Sequence, residues 1–210
     1  MMKPLGRACL LKPDFFNRDP RRVARALLGK LLVRKTAGGV LAGRIVETEA
    51  YLGEHDAAAH TAVGKTARNS VLFGPPGHAY VYFIYGNYYC LNVSCLPDGV
   101  PGGVLFRALE PVAGVEQMTE ARGMDVAKKP ELRKLAVLKK ISSGPGRMCE
   151  AFGITRARDN GKSLASSRSD LRIVDDGYRV RRVMVTPRVG IVKAADEPLR
   201  YFIANNPFVS

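Results

Sequence analysis

Two carboxylates stand at the end of an apolar stretch in the segment IVETEAYLG, residues 45–53. If this stretch is a strand, its side chains alternate between two faces, so Glu47, Glu49 and Tyr51 should point the same way. Charged groups rarely lie in apolar surroundings unless they are paired or have a chemical task. A pair of carboxylates is also what ordinary glycosidases use to cleave sugars. The segment is therefore a candidate catalytic site.

Arg107 is a second charged residue in apolar company, in the segment VLFRALE. Unless the strand lies at a sheet edge, its guanidinium must meet a carboxylate, a phosphate or carbonyl oxygens. Three carboxylates are candidate partners: Glu47, Glu49 and Glu110. The pattern is compatible both with an ion pair that only holds strands together and with a functional site.

A tyrosine-rich segment, HAYVYFIYGNYYCLNVSC (residues 78–95), has the composition of a β-hairpin. The Gly86-Asn87 pair favours a two-residue turn because both residues tolerate positive φ angles. Most of these tyrosines fit ordinary cross-strand packing, but Tyr85 would lie at the hairpin tip with nothing beneath it. In a nucleic-acid-binding protein such a ring can insert between stacked bases and fill the gap that an extruded base leaves.

The net charge points to a polyanionic partner. The chain has 210 residues, with 33 Lys and Arg against 19 Asp and Glu, and a formal net charge of +14. Nucleic acid is the natural partner for such a surplus, although a charged surface for solubility or an association with ribosomes would give a similar composition. Composition does not distinguish DNA from RNA.

Three segments could contact phosphates of the nucleic-acid backbone. SSGPGRMC places a tight turn at a helix start, where backbone N–H groups can bind an anion, and two basic stretches are KTARN and TPRVGIVK. Solvated surface charge explains the basic stretches equally well. The candidate residues are Lys65, Arg68, Ser143, Gly144, Arg147 and Arg188.

The cysteines and the hydropathy pattern narrow the class of protein. Cys9, Cys90, Cys95 and Cys149 form no C-x-x-C pair, so we expect reduced thiols and no disulfide framework. Neither their spacing nor that of the three histidines supports a zinc site, and we expect no metal. No apolar run approaches the roughly 18 residues of a membrane span, and the N-terminus lacks a signal-peptide core. We expect the protein to work in the compartment where it is made.

The elements that must position these residues belong to one domain, since 46% hydrophobic residues supply an ample core. A helix is expected from Asp19-Pro20 to Gly29, because Asp is a good N-cap and Pro fits the first turn. Residues 53–77 read as a long ordered loop, and 130–141 as a basic helix. Besides the hairpin arms, strands are predicted at residues 31–34, 40–50, 102–111, 180–192 and 199–204.

The motifs IVETEAYLGEHDAAAH, RN, FGPPGHAYVYFIYGNYYCLNV, LFRALEP, SGPGR and TPRVGI occur in one order. Together they resemble the alkyladenine (3-methyladenine) DNA glycosylase family over residues 11–210, with residues 1–10 as a short tail. The resemblance implies an α+β fold, a single domain with a curved, mainly antiparallel sheet, flanking helices and a protruding β-hairpin. It also implies an enzyme that flips alkylated or deaminated purines out of duplex DNA and hydrolyses the N-glycosidic bond, which initiates base excision repair.

The resemblance assigns roles at matching positions. Glu49 corresponds to the residue that activates the hydrolytic water, and Arg107 to the arginine beside that water. Tyr85 corresponds to the intercalating tyrosine. The residues that sandwich and contact the flipped base, or form the floor of its pocket, are matched by Tyr51, His60, Tyr82 and Asn92. Glu47 matches no catalytic role.

These roles suit the chemistry of an alkylated purine. Such a base is a cationic leaving group, so one carboxylate that deprotonates water should suffice where ordinary glycosidases need two. Aromatic walls favour cationic bases through cation–π stacking. No lysine is placed in the motif as a Schiff-base nucleophile, so we predict a monofunctional glycosylase that needs no cofactor. Asn87 departs from the family, which more often has a bulkier apolar residue beside the intercalating tyrosine.

The expected partner is double-stranded DNA that contains damaged purines. We expect a monomer without an obligatory protein partner or a membrane, and the short N-terminus resembles bacterial members, which implies a cytoplasmic protein acting at the nucleoid. The alternative is a non-catalytic nucleic-acid-binding protein on the same scaffold. A sugar hydrolase that uses Glu47 and Glu49 together is disfavoured by the basic charge and by the absence of tryptophan.

Overall fold

The computed structural model describes residues 8–84, 86, 88–124 and 135–210. Within these residues the strands form one sheet in which all neighbours are antiparallel. The strands are β1 (Cys9–Leu10), β2 (Leu31–Thr36), β3 (Gly39–Tyr51), β4 (Ala79–Ile84), β5 (Tyr88–Ser94), β6 (Gly103–Ala113), β7 (Leu171–Asp175), β8 (Val183–Thr186) and β9 (Arg200–Ile203). The helices are α1 (Pro13–Phe16), α2 (Pro20–Leu27), α3 (Val115–Ala121), α4 (Leu135–Ser142), α5 (Pro145–Ala151) and α6 (Arg156–Asp159), with a 3-10 turn at Ser70–Phe73.

The sheet is built around β3. The strand order is β1-β7-β2-β3-β6-β5-β4, and β9 pairs with both β3 and β8. The predicted α+β class and mainly antiparallel sheet are confirmed. Strand β7 was not predicted from the sequence; it pairs with β2 and also with Cys9 and Leu10, which lie in the stretch expected to be a tail. The domain boundary at residue 10 stays a prediction.

Helix α2 forms as its sequence predicts. The side chain of Asp19 accepts a hydrogen bond from the backbone N–H of Arg21, at 2.8 Å, and Pro20 occupies the first turn. Val23 and Leu27 are fully buried against the sheet, while the arginines of the helix stay exposed. The chain leaves the helix through Gly29, whose φ of +84° suits glycine. Packing of this apolar face covers one side of β3 and β6.

Strand β3 changes partner and register where its two carboxylates lie. On one edge β2 pairs with residues 39–44 and β9 takes over at residues 47–49. On the other edge the register with β6 shifts between Ile45 and Glu47 and again between Glu47 and Thr48. Bulges of this kind bend a strand and re-aim its side chains, and they are frequent beside active sites.

The hairpin of β4 and β5 is present, but its connection is one residue longer than predicted. Ile84 pairs with Tyr88, so three residues separate the paired positions instead of the Gly86-Asn87 pair alone. Gly86 has a φ of +70°, which is favourable for glycine. Tyr85 and Asn87 lie outside the described residues, so the intercalating role of Tyr85 stays a prediction.

The stretch from residue 53 to residue 77 is an ordered loop, as expected, and a buried asparagine holds it. The Asn69 side chain donates to the carbonyls of His60 and Gly64, at 2.8 and 2.9 Å, and accepts from the backbone N–H of Thr66 at 2.7 Å. Asn69 is only 2% exposed, so its side chain needs hydrogen-bond partners within the protein. These bonds satisfy backbone groups of the loop that would otherwise be paired in a helix or sheet. They fix the position of His60 beside β4.

The predictions for the last third of the chain are partly confirmed. Of the basic helix expected at residues 130–141, the part from Leu135 is helical, and residues 130–134 lie outside the described residues. The strand expected at residues 180–192 is shorter, because β8 ends at Thr186 before Pro187, which cannot donate to a ladder. Among the described helices, none has the length and apolar character needed to cross a bilayer.

Candidate active site

The carboxylate of Glu49 is fully buried, accepts two hydrogen bonds and forms one ion pair, with partners from different parts of the chain. The Tyr51 hydroxyl donates to Oε2 at 3.0 Å, and the backbone N–H of Val189 donates to Oε1 at 2.8 Å. Nη1 of Arg107 lies 3.2 Å from the same Oε1. These contacts confirm that Glu49 and Tyr51 share a face of β3, and they hold the carboxylate in one orientation.

Arg107 bridges two of its three candidate partners. Besides Glu49, its Nε donates to Oε1 of Glu47 at 3.1 Å, whereas Glu110 accepts a hydrogen bond from Asn206 instead. Glu47 is fully buried and also accepts from Nε of Arg200, at 2.6 Å. Both carboxylates of the IVETEAYLG segment therefore face the same guanidinium.

A cavity of about 150 Å³ opens beside Tyr51. The four residues predicted to surround a flipped base all line it: Tyr51, His60, Tyr82 and Asn92. Sequence reasoning missed other wall residues, among them Tyr80, Leu72 and Ile191, because a tyrosine or an aliphatic side chain in a strand or turn reads as core. Glu49 is not among the described residues that line the cavity, and its carboxylate contacts the wall residue Tyr51 through the hydroxyl of that tyrosine.

The aromatic rings of the cavity contact one another in a fixed arrangement. The rings of His60 and Tyr82 meet edge to face, with centroids 4.4 Å apart, and Nδ1 of His60 is 2.9 Å from the Tyr80 hydroxyl. Burial, reinforced by the charge of Glu49 next to Tyr51 and by Cys90 next to Tyr82, raises the pKa of both tyrosines above the usual value. Their side chains are thus neutral aromatic walls with a hydroxyl donor.

Although His60 is partly exposed, its surroundings favour the neutral form of the imidazole. Burial lowers its pKa below the usual 6.5, and the positive charge of Arg68 lowers it further. Arg68 is exposed, and its guanidinium carbon lies 5.9 Å from the Tyr82 ring centroid. A cationic ligand entering the cavity would therefore meet an uncharged imidazole.

Replacing Arg68 by Gln is expected to raise the pKa of His60, because the substitution removes the nearby charge and leaves the burial in place. An NMR titration of the histidine ring signals measures this shift. Lys65→Gln, which removes an exposed cation from the same loop, is the matched control and should leave the signal of His60 unchanged. Identical titration curves for wild type and Arg68→Gln would contradict the assignment.

The structure corrects the interpretation of Arg188. Its guanidinium is buried and forms a bidentate ion pair with Asp56, at 2.5 and 2.9 Å, and donates to the carbonyl of Ala50 at 3.1 Å. It also lies over the Tyr51 ring, 4.7 Å from the centroid. Burial alone would raise the pKa of Asp56, but the hydrogen bonds from Arg188 and two backbone N–H groups lower it below 3.8. We therefore place Arg188 in the support of the cavity wall and not on a DNA phosphate.

The turn before α5 also differs from its prediction. The N–H of Ser143 donates to Lys139 and that of Gly144 to Arg107, both at 3.1 Å, and Pro145 opens the helix without an N–H. The two N–H groups expected to bind a phosphate are thus used within the protein. Arg147 is exposed, as are Lys65 and Arg68, and contact of these three with DNA stays a prediction.

The other polar clusters point to no further chemistry. In the described parts of the chain, no group of three His, Cys, Asp or Glu side chains is arranged to hold a metal ion. Cys90, Cys95 and Cys149 are buried free thiols, and burial raises the pKa of each. They are protonated packing residues.

Comparison with known proteins shows the family of this chain. A family model described as "Methylpurine-DNA glycosylase (MPG)" matches residues 14–207. A relative from Koribacter versatilis, named "Putative 3-methyladenine DNA glycosylase", is 61% identical over 209 residues, which is 100% of this chain and 94% of the relative. Relatives with the same name from Methanocella arvoryzae and Bacillus cereus are 46% and 42% identical over 204 and 205 residues. These matches cover 96% and 94% of this chain, and 96% and 97% of the relatives. The chain therefore belongs to the methylpurine-DNA glycosylase family and is a DNA glycosylase, an enzyme that hydrolyses N-glycosyl bonds.

Proposed function

We propose that the enzyme removes alkylated and deaminated purines from duplex DNA, by turning the damaged nucleotide out of the helix and attacking its sugar with a water that Glu49 activates. The observation that carries this proposal is the position of the Glu49 carboxylate, which two hydrogen bonds and an ion pair hold against Tyr51, a wall residue of the aromatic cavity. A purine within a duplex cannot enter such a cavity, so it must first leave the stack.

The cavity walls suit a cationic base. The faces of Tyr51 and Tyr82 attract positive charge, and the neutral imidazole of His60 does not repel it. Asn92, which is 6% exposed, lies opposite Tyr80 in the ladder between β4 and β5 and lines the same cavity. In this proposal its amide disfavours the exocyclic amine of undamaged guanine, so that selection rests on charge and on fit.

Hydrolysis needs one carboxylate. The water oxygen bonds to C1′ of the sugar while Glu49 accepts a proton from the water, and the electron pair of the C1′–N bond leaves with the purine. An alkylated purine departs as a neutral base, so no strong acid is required, unlike in ordinary glycosidases. A deaminated purine starts neutral, so in this proposal it takes up a proton from solvent as the bond breaks. Arg107 keeps the carboxylate oriented toward the sugar.

Duplex DNA is the proposed partner of the basic surface. The net charge of +14 and the exposed side chains of Lys65, Arg68 and Arg147 support contacts with phosphates, which would make binding strongly dependent on salt. We propose that the enzyme acts on this DNA as a monomer in the cytoplasm, at the nucleoid, without an obligatory protein partner.

The test is base release from duplexes that each contain one damaged purine. Wild-type protein should free the base from duplexes with an alkylated adenine, an alkylated guanine or hypoxanthine, and leave an undamaged duplex intact. Tight binding of every lesion without release would favour the alternative, a non-catalytic nucleic-acid-binding protein. The relative single-turnover rates across this panel would also rank the lesions.

Replacing Tyr85 by Ser is expected to weaken binding to lesion-containing duplexes by about 1–3 kcal/mol, the usual worth of stacking a base on an aromatic ring. Fluorescence anisotropy with a labelled duplex measures the change. Tyr178→Ser, which alters an exposed tyrosine outside the hairpin, is the matched control. Equal affinities for wild type and Tyr85→Ser would remove the tyrosine from the intercalating role.

A further inference from the structure

Glu47 is a buried carboxylate that the proposed reaction does not use, and it connects three strands with Ser210. Its Oε1 accepts from Nε of Arg107 at 3.1 Å and from Nε of Arg200 at 2.6 Å. Its Oε2 accepts from the backbone N–H of Ser210 at 2.6 Å. Ser210 also contacts both arginines. Its hydroxyl accepts a hydrogen bond from Nη2 of Arg107, and its carbonyl accepts one from Nη2 of Arg200, both at 3.3 Å. We call these four residues the Glu47 cluster.

We propose that Glu47 is a positioning residue for base excision, which acts by holding Arg107 in the orientation that aims Nη1 at Glu49. The inference rests on the proposed function of Glu49. A guanidinium is planar and its N–H groups point in fixed directions, so two acceptors on Nε and Nη1 determine both its position and its plane. Glu47 supplies the first of these acceptors and Glu49 the second.

The negative charge of Glu47 should also affect Glu49, because it binds a second arginine that lies close to Glu49. Arg200 lies directly opposite Glu49 in the pairing of β3 with β9, yet its Nε bonds to Glu47. Without the carboxylate of Glu47, the two guanidinium groups would lose the anion that they share, and Glu49, which already contacts Arg107, would be the carboxylate left beside them in the described residues. Additional hydrogen bonds would then occupy the lone pairs that must face the water, and a carboxylate that faces more cations is a weaker base. By binding both arginines, Glu47 therefore keeps a lone pair of the Glu49 carboxylate free to accept a proton from water.

A purely structural role would also explain a buried ion cluster, so the test needs a matched control. Asp159 provides one, because its carboxylate and the side chain of Arg34 are both 0% exposed and form an ion pair at 2.7 Å. Neither residue lines the cavity or contacts the Glu47 cluster among the contacts described. Removing either carboxylate takes one buried ion pair from an arginine that keeps a second carboxylate, Asp170 beside Arg34 and Glu49 beside Arg107. Both substitutions should therefore destabilise the fold.

The experiment compares Glu47→Gln, Asp159→Asn and wild type in the full chain, with a duplex that carries one alkylated purine. Both variants should unfold at a lower temperature than wild type. Only Glu47→Gln should slow single-turnover base release, by about 100-fold, the usual effect of misplacing a reacting group by an ångström. Its dissociation constant for the duplex should equal that of wild type. An equal fractional loss of rate in both variants, or a wild-type rate in Glu47→Gln, would overturn the inference.

A double-mutant cycle tests whether Glu47 acts through Arg107. In an Arg107→Gln background, Glu47→Gln should cause little further loss of rate, because the guanidinium that it positions is gone. If Glu47→Gln lowers the release rate by the same factor with and without Arg107, Glu47 does not act through Arg107.

If Glu47→Gln does not fold, Glu47→Asp keeps the charge but shifts the acceptor. That variant should also release the base more slowly than wild type, and an unchanged rate would count against the inference. A wild-type protein that releases no base would refute the proposed function itself, which is a different outcome.

Discussion

Replacing Glu49 by Gln is expected to slow base release by about 10²–10⁴-fold, the contribution of a general base. The amide has nearly the same shape as the carboxylate and can still accept hydrogen bonds from Tyr51 and Val189, but it cannot take a proton from water. Binding of the damaged duplex should persist, because the cavity walls are unchanged. Single-turnover release and anisotropy binding with the same duplex measure the two properties separately.

Glu54→Gln is the control for this variant. Glu54 follows β3 by three residues and is exposed, so its substitution removes the same charge from the same region of the chain without touching the buried carboxylate. Its release rate should match that of wild type. Equal rates for Glu49→Gln and wild type would remove Glu49 from the role of base.

Replacing Arg188 by Met is expected to lower the free energy of unfolding by about 3–5 kcal/mol, because the variant leaves the buried Asp56 carboxylate without its partner. Base release should fall as well, since Arg188 packs on the ring of Tyr51. Urea denaturation at neutral pH measures the stability. Arg21→Met, which breaks the exposed ion pair with Asp19, is the control and should cost no more than about 1 kcal/mol.

The difference in unfolding free energy between wild type and Arg188→Met should become smaller at acidic pH. The pKa of Asp56 is lower in the folded protein than the ordinary 3.8, so its ion pair contributes stability at pH values above 3.8. The contribution is lost as the pH falls through the folded pKa, where the carboxylate is protonated. The gap in unfolding free energy between wild type and Arg188→Met should therefore narrow as the pH falls to the folded pKa of Asp56, which lies below 3.8. A gap that stayed constant down to strongly acidic pH would contradict the assigned ion pair.

Local sequence patterns were sufficient for many individual elements. The Asp19-Pro20 start of α2, the strand that carries Glu49 and the arms of the hairpin follow from capping, alternation and turn preferences, which act over a few residues. The same alternation predicted that Glu49 and Tyr51 share a face. The hairpin connection was predicted one residue too short, because turn preference does not set the register of the strands beyond it.

The partners of the charged groups could not be read in the same way. Glu47, Glu49 and Glu110 were equal candidates for Arg107, and only the irregular pairing of β3 with β6, in which Arg107 is left without a partner in the ladder, decided that the first two contact it. Arg188 resembled a surface cation in the sequence because its partner Asp56 lies 132 residues away.

The sequence by itself determined the residue types of the site, the strand that carries Glu49 and a resemblance specific enough to indicate the family. Only the tertiary structure decided what touches Glu49: the N–H of Val189 comes from 140 residues away, and the N–H of Ser210 reaches Glu47 across 163 residues. The physical reason is that periodicity orders side chains along one element, whereas these contacts depend on which strands become neighbours in the sheet, and this depends on the packing of the whole chain.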